Sequence, residues 1–247
     1  MPGLSPPTVD VRRADRRTGT RLSWLDSRHS FSFGPHYDPA NTHYGLLLVS
    51  NDDVIRPGTG FDTHPHRDME IVTWVLDGEL EHKDSQGNKG IIYPGLAQRM
   101  SAGSGIWHSE KNPHGQKDVR LIQMWVTPDT ENLVPGYEQL DINPELAKGG
   151  LVPIASGRGH NAAIRIRQKG AVLWGGRLKP GETVAIPEAA YTHLYVAKGT
   201  VDLEGAGTLQ TGDAVRLAAA GRPKLTSHDN TGAEVLIWEM SETLKYN

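Results

Sequence analysis

Val75-Leu76-Asp77-Gly78-Glu79-Leu80-Glu81 reads as strand, glycine turn, strand, and Val196-Ala197-Lys198-Gly199-Thr200-Val201-Asp202 repeats that pattern 121 positions downstream. A second pair follows. Leu121-Ile122-Gln123-Met124-Trp125 resembles Val235-Leu236-Ile237-Trp238-Glu239 at a spacing of 114, and loops absorb the difference. The chain therefore carries one β-rich unit twice. Residues 127–150 are rich in Pro, Gly and Asn and mark the division, so the expected domains are 1–140 and 141–247.

Working outward, the 28 glycines and 16 prolines of the 247 residues are spread evenly and punctuate short runs of Val, Ile, Leu, Trp and Thr. Segments 44–50, 70–76, 79–83, 119–126, 164–167, 171–178, 193–197, 200–204 and 234–240 read as strands. Helical periodicity is confined to 138–147. The expected class is all-β, with two tandem barrels, because closure is how many short strands bury their edges. The absence of cysteine excludes disulfides, iron–sulfur clusters and thiolate zinc sites, so any metal is held by His, Asp or Glu. With 26 Lys+Arg against 29 Asp+Glu, no dedicated nucleic-acid surface is expected. No apolar run reaches the roughly 18 residues of a membrane span, and the polar N-terminus has no leader pattern. A cytoplasmic protein is the expectation.

Two stretches stand apart chemically: Thr63-His64-Pro65-His66-Arg67-Asp68-Met69-Glu70 and Gly105-Ile106-Trp107-His108-Ser109-Glu110-Lys111-Asn112. Residues two apart on a strand share a face, so His64 projects with His66, and His108 with Glu110. If both strands line one barrel, three imidazoles and one carboxylate converge. That donor set suits iron, manganese, nickel, copper or zinc.

Gly58, His64-Pro65-His66 and Gly78, followed by Gly105, His108 and Asn112, have the spacing of the paired motifs of the cupin superfamily. With His29-Ser30-Phe31-Ser32-Phe33-Gly34, Leu80-Glu81-His82-Lys83-Asp84 and Met100-Ser101-Ala102-Gly103-Ser104-Gly105, the chain resembles the pirin family, above all its bacterial quercetinase-like members. The resemblance implies two cupin barrels of the double-stranded β-helix, or jelly-roll, type. It implies one divalent metal ion per chain, held in the first barrel by His64, His66, His108 and Glu110, with Fe(II) expected and Cu, Ni, Mn or Zn compatible. Glu70 occupies a place where other cupins put a ligand; in the pirin pattern it does not bind the metal, and a buried structural role is expected.

The activity implied is quercetin 2,3-dioxygenase chemistry, in which O2 opens a flavonol ring with loss of carbon monoxide. Metal coordination lowers the pKa of the flavonol 3-hydroxyl, and Glu110 is the carboxylate placed to take its proton. The other role the resemblance carries is non-enzymatic: a regulatory protein whose affinity for a protein partner follows the oxidation state of its metal. Phe31, Phe33, Trp74, Trp107 and Trp125 are candidates for an apolar pocket wall. His29, His36, His43 and His82 are expected outside the ligand set, and Arg12, Arg13, Arg16 and Arg17 in a solvated arm. The second barrel is expected to hold no metal, since His64 and His66 map onto Ala185 and Pro187, and only His228 falls near the counterpart of His108.

Overall fold

The two glycine turns do one job twice, each carrying the chain from a large sheet to the smaller sheet facing it. In the computed structural model, which describes residues 7–228 and 230–244, the first unit has a seven-stranded sheet and a four-stranded one. The large sheet runs in the order Gly136–Asp141, Leu96–Ser101, Glu70–Asp77, Val119–Val126, Leu47–Ile55, Leu25–His29, Thr18–Arg21. Facing it are Gly60–His66, Ile106–Lys111, Leu80–Asp84 and Lys89–Ile92. The second unit repeats the plan. Its large sheet holds Ala214–Ala218, Tyr191–Lys198, Ala233–Met240, Ala171–Leu178, Val152–Ser156 and Ile164–Arg165; its small sheet holds Thr183–Ala185, Lys224–Ser227, Thr200–Leu203 and Gly207–Gln210. Gly78 and Gly199 sit at φ +78° and +81°, where a Cβ would come within 2.7 Å of the Asp118 carbonyl oxygen and 2.5 Å of the Gly232 one. Only glycine fits both the backbone and the space.

Alternation along each strand divides its side chains between two cores. On Val119–Val126, Ile122, Met124 and Val126 face the other barrel, whereas Leu121 turns inward with Val75 and Leu80. The seven-stranded sheets thus pack back to back, with Leu47, Val72 and Trp74 against Leu173, Tyr195 and Trp238. The inside of the second barrel is aliphatic, built from Leu194, Val196, Val201, Leu209, Leu225 and Ile237. The first barrel instead has separate apolar clusters around Leu80 and around Met100. Polar groups occupy the space that remains.

Three sequence expectations are corrected. The arginine-rich N-terminus keeps Arg12, Arg13 and Arg16 exposed but is docked, not a free arm: Thr8–Arg12 pairs with Ala214–Ala218 of the second barrel, and Arg13 ion-pairs with Asp213 at 2.6 Å. An open sheet edge with unpaired backbone groups explains why the arm docks there. The helix expected over 138–147 is only Asn143–Leu146, with Pro144 in its first turn, because Gly136–Asp141 is captured as an edge strand by Leu96–Ser101. The strand expected over 44–50 is Leu47–Ile55, and it runs through Asn51-Asp52-Asp53.

Asp52 is tolerated in mid-strand because Arg120 grips it with two hydrogen bonds, of 3.0 and 2.7 Å, and the Tyr195 hydroxyl of the second barrel donates a third at 2.5 Å. These contacts hold the Asp52 carboxyl below the ordinary range despite its burial. Arg120→Ala leaves that carboxylate buried without its main partner. The expected cost is about 3 kcal/mol, read as a lower denaturation midpoint with unchanged m-value; a loss within about 0.5 kcal/mol would contradict the assignment. No helix among the described residues is long and apolar enough to cross a membrane.

Candidate metal centre

Gly60–His66 and Ile106–Lys111 run antiparallel, with His108 opposite His64. Between His108 and Glu110 the register shifts: Glu110 lies opposite Phe61, so the histidine strand carries one extra residue. The alternation on Ile106–Lys111 is regular, and Ile106, His108 and Glu110 all point into the barrel while Trp107 points out. His64, His66 and His108 come together with ligand atoms within 4.8 Å of one another. Glu110 is on the deep side of His108, in a second such group with His108 and His82. Both groups found among the described residues lie in the first barrel.

The proton positions follow from the hydrogen bonds. Asp84 accepts from His82 Nε2 at 3.2 Å; in a neutral His82 imidazole the other nitrogen, Nδ1, is then the acceptor. His108 Nδ1 lies 3.4 Å from it and donates. That leaves His108 Nε2 with a bare lone pair. His64 Nδ1 donates to the Asp62 carbonyl at 2.7 Å, so its Nε2 is bare too, and the two Nε2 atoms are 3.1 Å apart. Two lone pairs cannot share a hydrogen bond at that distance, whereas a cation between them satisfies both. Burial, followed by the neighbouring imidazoles, lowers His66 to about 4 and His108 to about 3. Both are therefore neutral, as ligands must be, at physiological pH. His82 was expected to stand outside the ligand set; both of its nitrogens are engaged, and it orients His108 from behind. Its helper Asp84 is fixed by the Asn88 side chain and by the backbone N–H groups of Gln86 and Asn88.

Glu110 is buried and its carboxylate is held unequally. Oε2 accepts from Gln123 Nε2 at 2.7 Å, whereas Oε1 has, among the described residues, only Thr73 Oγ1 at 3.4 Å. Gln123 is itself positioned by Trp125, whose Nε1 donates to Gln123 Oε1 at 3.1 Å. Trp125 also stands edge-to-face with His66, with ring centroids 4.9 Å apart, and Phe33 meets Trp125 in the same T-shaped manner at 5.8 Å. Of the five aromatic candidates, Trp125 borders the imidazole cluster, and Phe33 is linked to it through Trp125. Phe31 and Trp74 belong to the core between the barrels, and Trp107 is exposed.

Glu70 does not join the cluster. Asp68 adopts a positive φ of 45°, which ends the histidine strand and re-aims the chain before Glu70–Asp77 begins. Glu70 accepts from Ser101 Oγ at 2.8 Å and from the Arg167 backbone N–H at 3.0 Å, with Arg99 nearby. It ties the two barrels together. Gln123, Thr73 and Asp84 carry no metal-binding signature in sequence; only the facing of the two sheets brings them to the site. In the second barrel His228 pairs with Asp202 at 2.5 Å, and His193 faces the first barrel.

The pirin family profile matches residues 11–126, and that of the quercetinase C-terminal cupin domain matches residues 153–240. A Mycobacterium tuberculosis protein, provisionally named a quercetin 2,3-dioxygenase, is 57% identical over 96% of this chain and 97% of its own length. The Escherichia coli K12 quercetin 2,3-dioxygenase is 37% identical over 94% of this chain and 98% of its own. Among solved structures, the bacterial pirin YhhW from Escherichia coli, in complex with nickel(II), superposes with a TM-score of 0.87 at 33% identity, covering 96% of this chain and all of that one.

Proposed function

The chain belongs to the pirin family, and from that premise we propose that it is a metal-dependent dioxygenase of the quercetin 2,3-dioxygenase type, with a flavonol and O2 as substrates. The observation that carries this reading is the pair of facing Nε2 lone pairs on His64 and His108, with His66 in the same group and Glu110 joined to it through His108. In this reading His64, His66, His108 and Glu110 hold one divalent metal ion, Fe(II). When bound, the metal supplies a Lewis acid for the flavonol 3-hydroxyl and a redox-capable centre for O2.

The rest is done by the protein. Glu110 Oε1, the loosely held oxygen, takes the 3-hydroxyl proton, while Gln123 keeps Oε2 in place. Trp125 and Phe33 form an apolar wall beside His66 on which the flavonol rings lie, and the same wall keeps water from the reacting edge. His82 and Asp84 hold the His108 tautomer through turnover.

Iron-loaded protein is expected to bleach the visible absorbance of quercetin with one O2 consumed per flavonol, and metal-free protein to leave it unchanged. Absence of turnover with each of iron, copper, nickel and manganese would move the reading to a metal-dependent binding protein.

A further inference from the structure

A cleft apart from the metal centre, on the seam between the barrels, has a volume of about 730 Å³. Its walls come from the docked N-terminal segment, from the loop after Leu25–His29, and from the second-barrel strands that carry His193 and Arg216. None of His64, His66, His108 or Glu110 lines it.

Charge is the first sign of what it holds. Five arginines, Arg12, Arg13, Arg16, Arg17 and Arg216, face Asp10 and Asp38. Arg12 is paired with Asp10 and Arg13 with Asp213, whereas Arg16, Arg17 and Arg216 have no carboxylate within ion-pair distance among the described residues. Two of these three are held in fixed poses. Arg17 Nη1 donates to the Tyr195 hydroxyl and Nη2 to the Arg28 carbonyl; Arg216 Nη2 donates to Asn41 Oδ1 at 2.6 Å, with its guanidinium over the Phe31 ring.

Unmet hydrogen bonds are the second sign. Ten buried side-chain polar atoms lack a partner among the described residues, and five of them, Arg17 Nε, His29 Nδ1, Ser30 Oγ, His193 Nε2 and Arg216 Nε, belong to residues of this cleft. Such groups are rare in native proteins and call for a partner when they cluster. Burial above all lowers His29 to about 4 and His193 to about 3, so both imidazoles are neutral at physiological pH. The positive charge is the arginines' own. Burial, and then Arg12, brings even Arg216 down to about 10, with Asp10 only partly opposing them.

We propose that this cleft is a second ligand site, independent of the metal, which takes a small, multiply charged oxyanion whose phosphate or carboxylate groups are held by Arg16, Arg17 and Arg216. Guanidinium forks match both kinds of oxygen pair, and the volume is that of a small-molecule pocket. Because its walls come from both barrels, the ligand braces one against the other.

Calorimetric titration of the whole chain with pyrophosphate, and separately with citrate, at constant ionic strength tests this and distinguishes phosphate from carboxylate ligands. The expected result is one site per chain with a dissociation constant below about 1 mM for at least one probe, and a raised Tm. Arg16→Gln, at an exposed position that leaves the fold intact, is expected to bind about tenfold more weakly with the Tm of the unliganded protein unchanged. Arg216→Gln is expected to lose binding, and circular dichroism establishes that it is folded. Metal-free and metal-loaded protein are expected to bind alike. No saturable heat with either probe, unchanged affinity in Arg16→Gln, or binding that disappears when the metal is removed would each overturn the proposal; the last would place the anion on the metal.

Discussion

His66→Ala is expected to purify folded but with less than about one-tenth of the metal carried by the unaltered chain. The residue is half-buried, and its ring stands 4.9 Å from that of His64 and 5.0 Å from that of His108, so its loss opens the cluster at the rim without a hole in the apolar core. Two imidazoles and a carboxylate then remain. Changes to groups that merely orient a ligand commonly cost 10- to 100-fold in affinity, so removing a ligand should cost at least about a hundredfold. Metal analysis after dialysis checks this. Unchanged metal content would remove His66 from the ligand set.

The second large effect separates two glutamates. Glu110→Gln is expected to lower flavonol turnover by a factor on the order of 10² to 10⁴, because an amide at that place can neither accept the substrate proton nor neutralise the metal charge. Gln123 complicates the substitution: its Nε2 now donates to Glu110, and an introduced amide offers that donor only its carbonyl oxygen. Glu70→Gln is expected to keep both metal and turnover and to lose stability instead, since Ser101, Arg167 and Arg99 are its partners. Turnover and metal content measured on the two variants side by side check the distinction. If Glu70→Gln loses the metal and Glu110→Gln does not, the roles are reversed.

The parts of this architecture that could be read in the sequence are those governed by local rules. Period-two alternation placed His64 with His66 and His108 with Glu110 on shared faces, and the structure keeps both pairings. The glycines at 78 and 199 marked the repeat because the same steric demand acts at both. What escaped was long-range. Asn51-Asp52-Asp53 has the composition of a turn, yet it stays in a strand because Arg120, 68 positions away, and Tyr195, 143 positions away, satisfy Asp52. Strand Leu96–Ser101 was missed for the same reason: Gln98 and Arg99 lie in it, and Arg99 finds Glu138 and the Arg165 carbonyl only in the folded chain. At the metal centre, the resemblance to pirins carried the four candidate ligands. His82, Asp84 and Gln123 were invisible as its supports, since their roles come from the facing of two sheets and from no spacing in the chain.

The most direct measurement is an anomalous difference map, recorded at the iron edge, from crystals of the iron-loaded protein. One strong peak per chain is expected, at about 2.1 Å from nitrogens of His64, His66 and His108 and from an oxygen of Glu110. A peak on His82, His108 and Glu110 that leaves His64 and His66 unbound, or a peak of equal height in the second barrel, would contradict it.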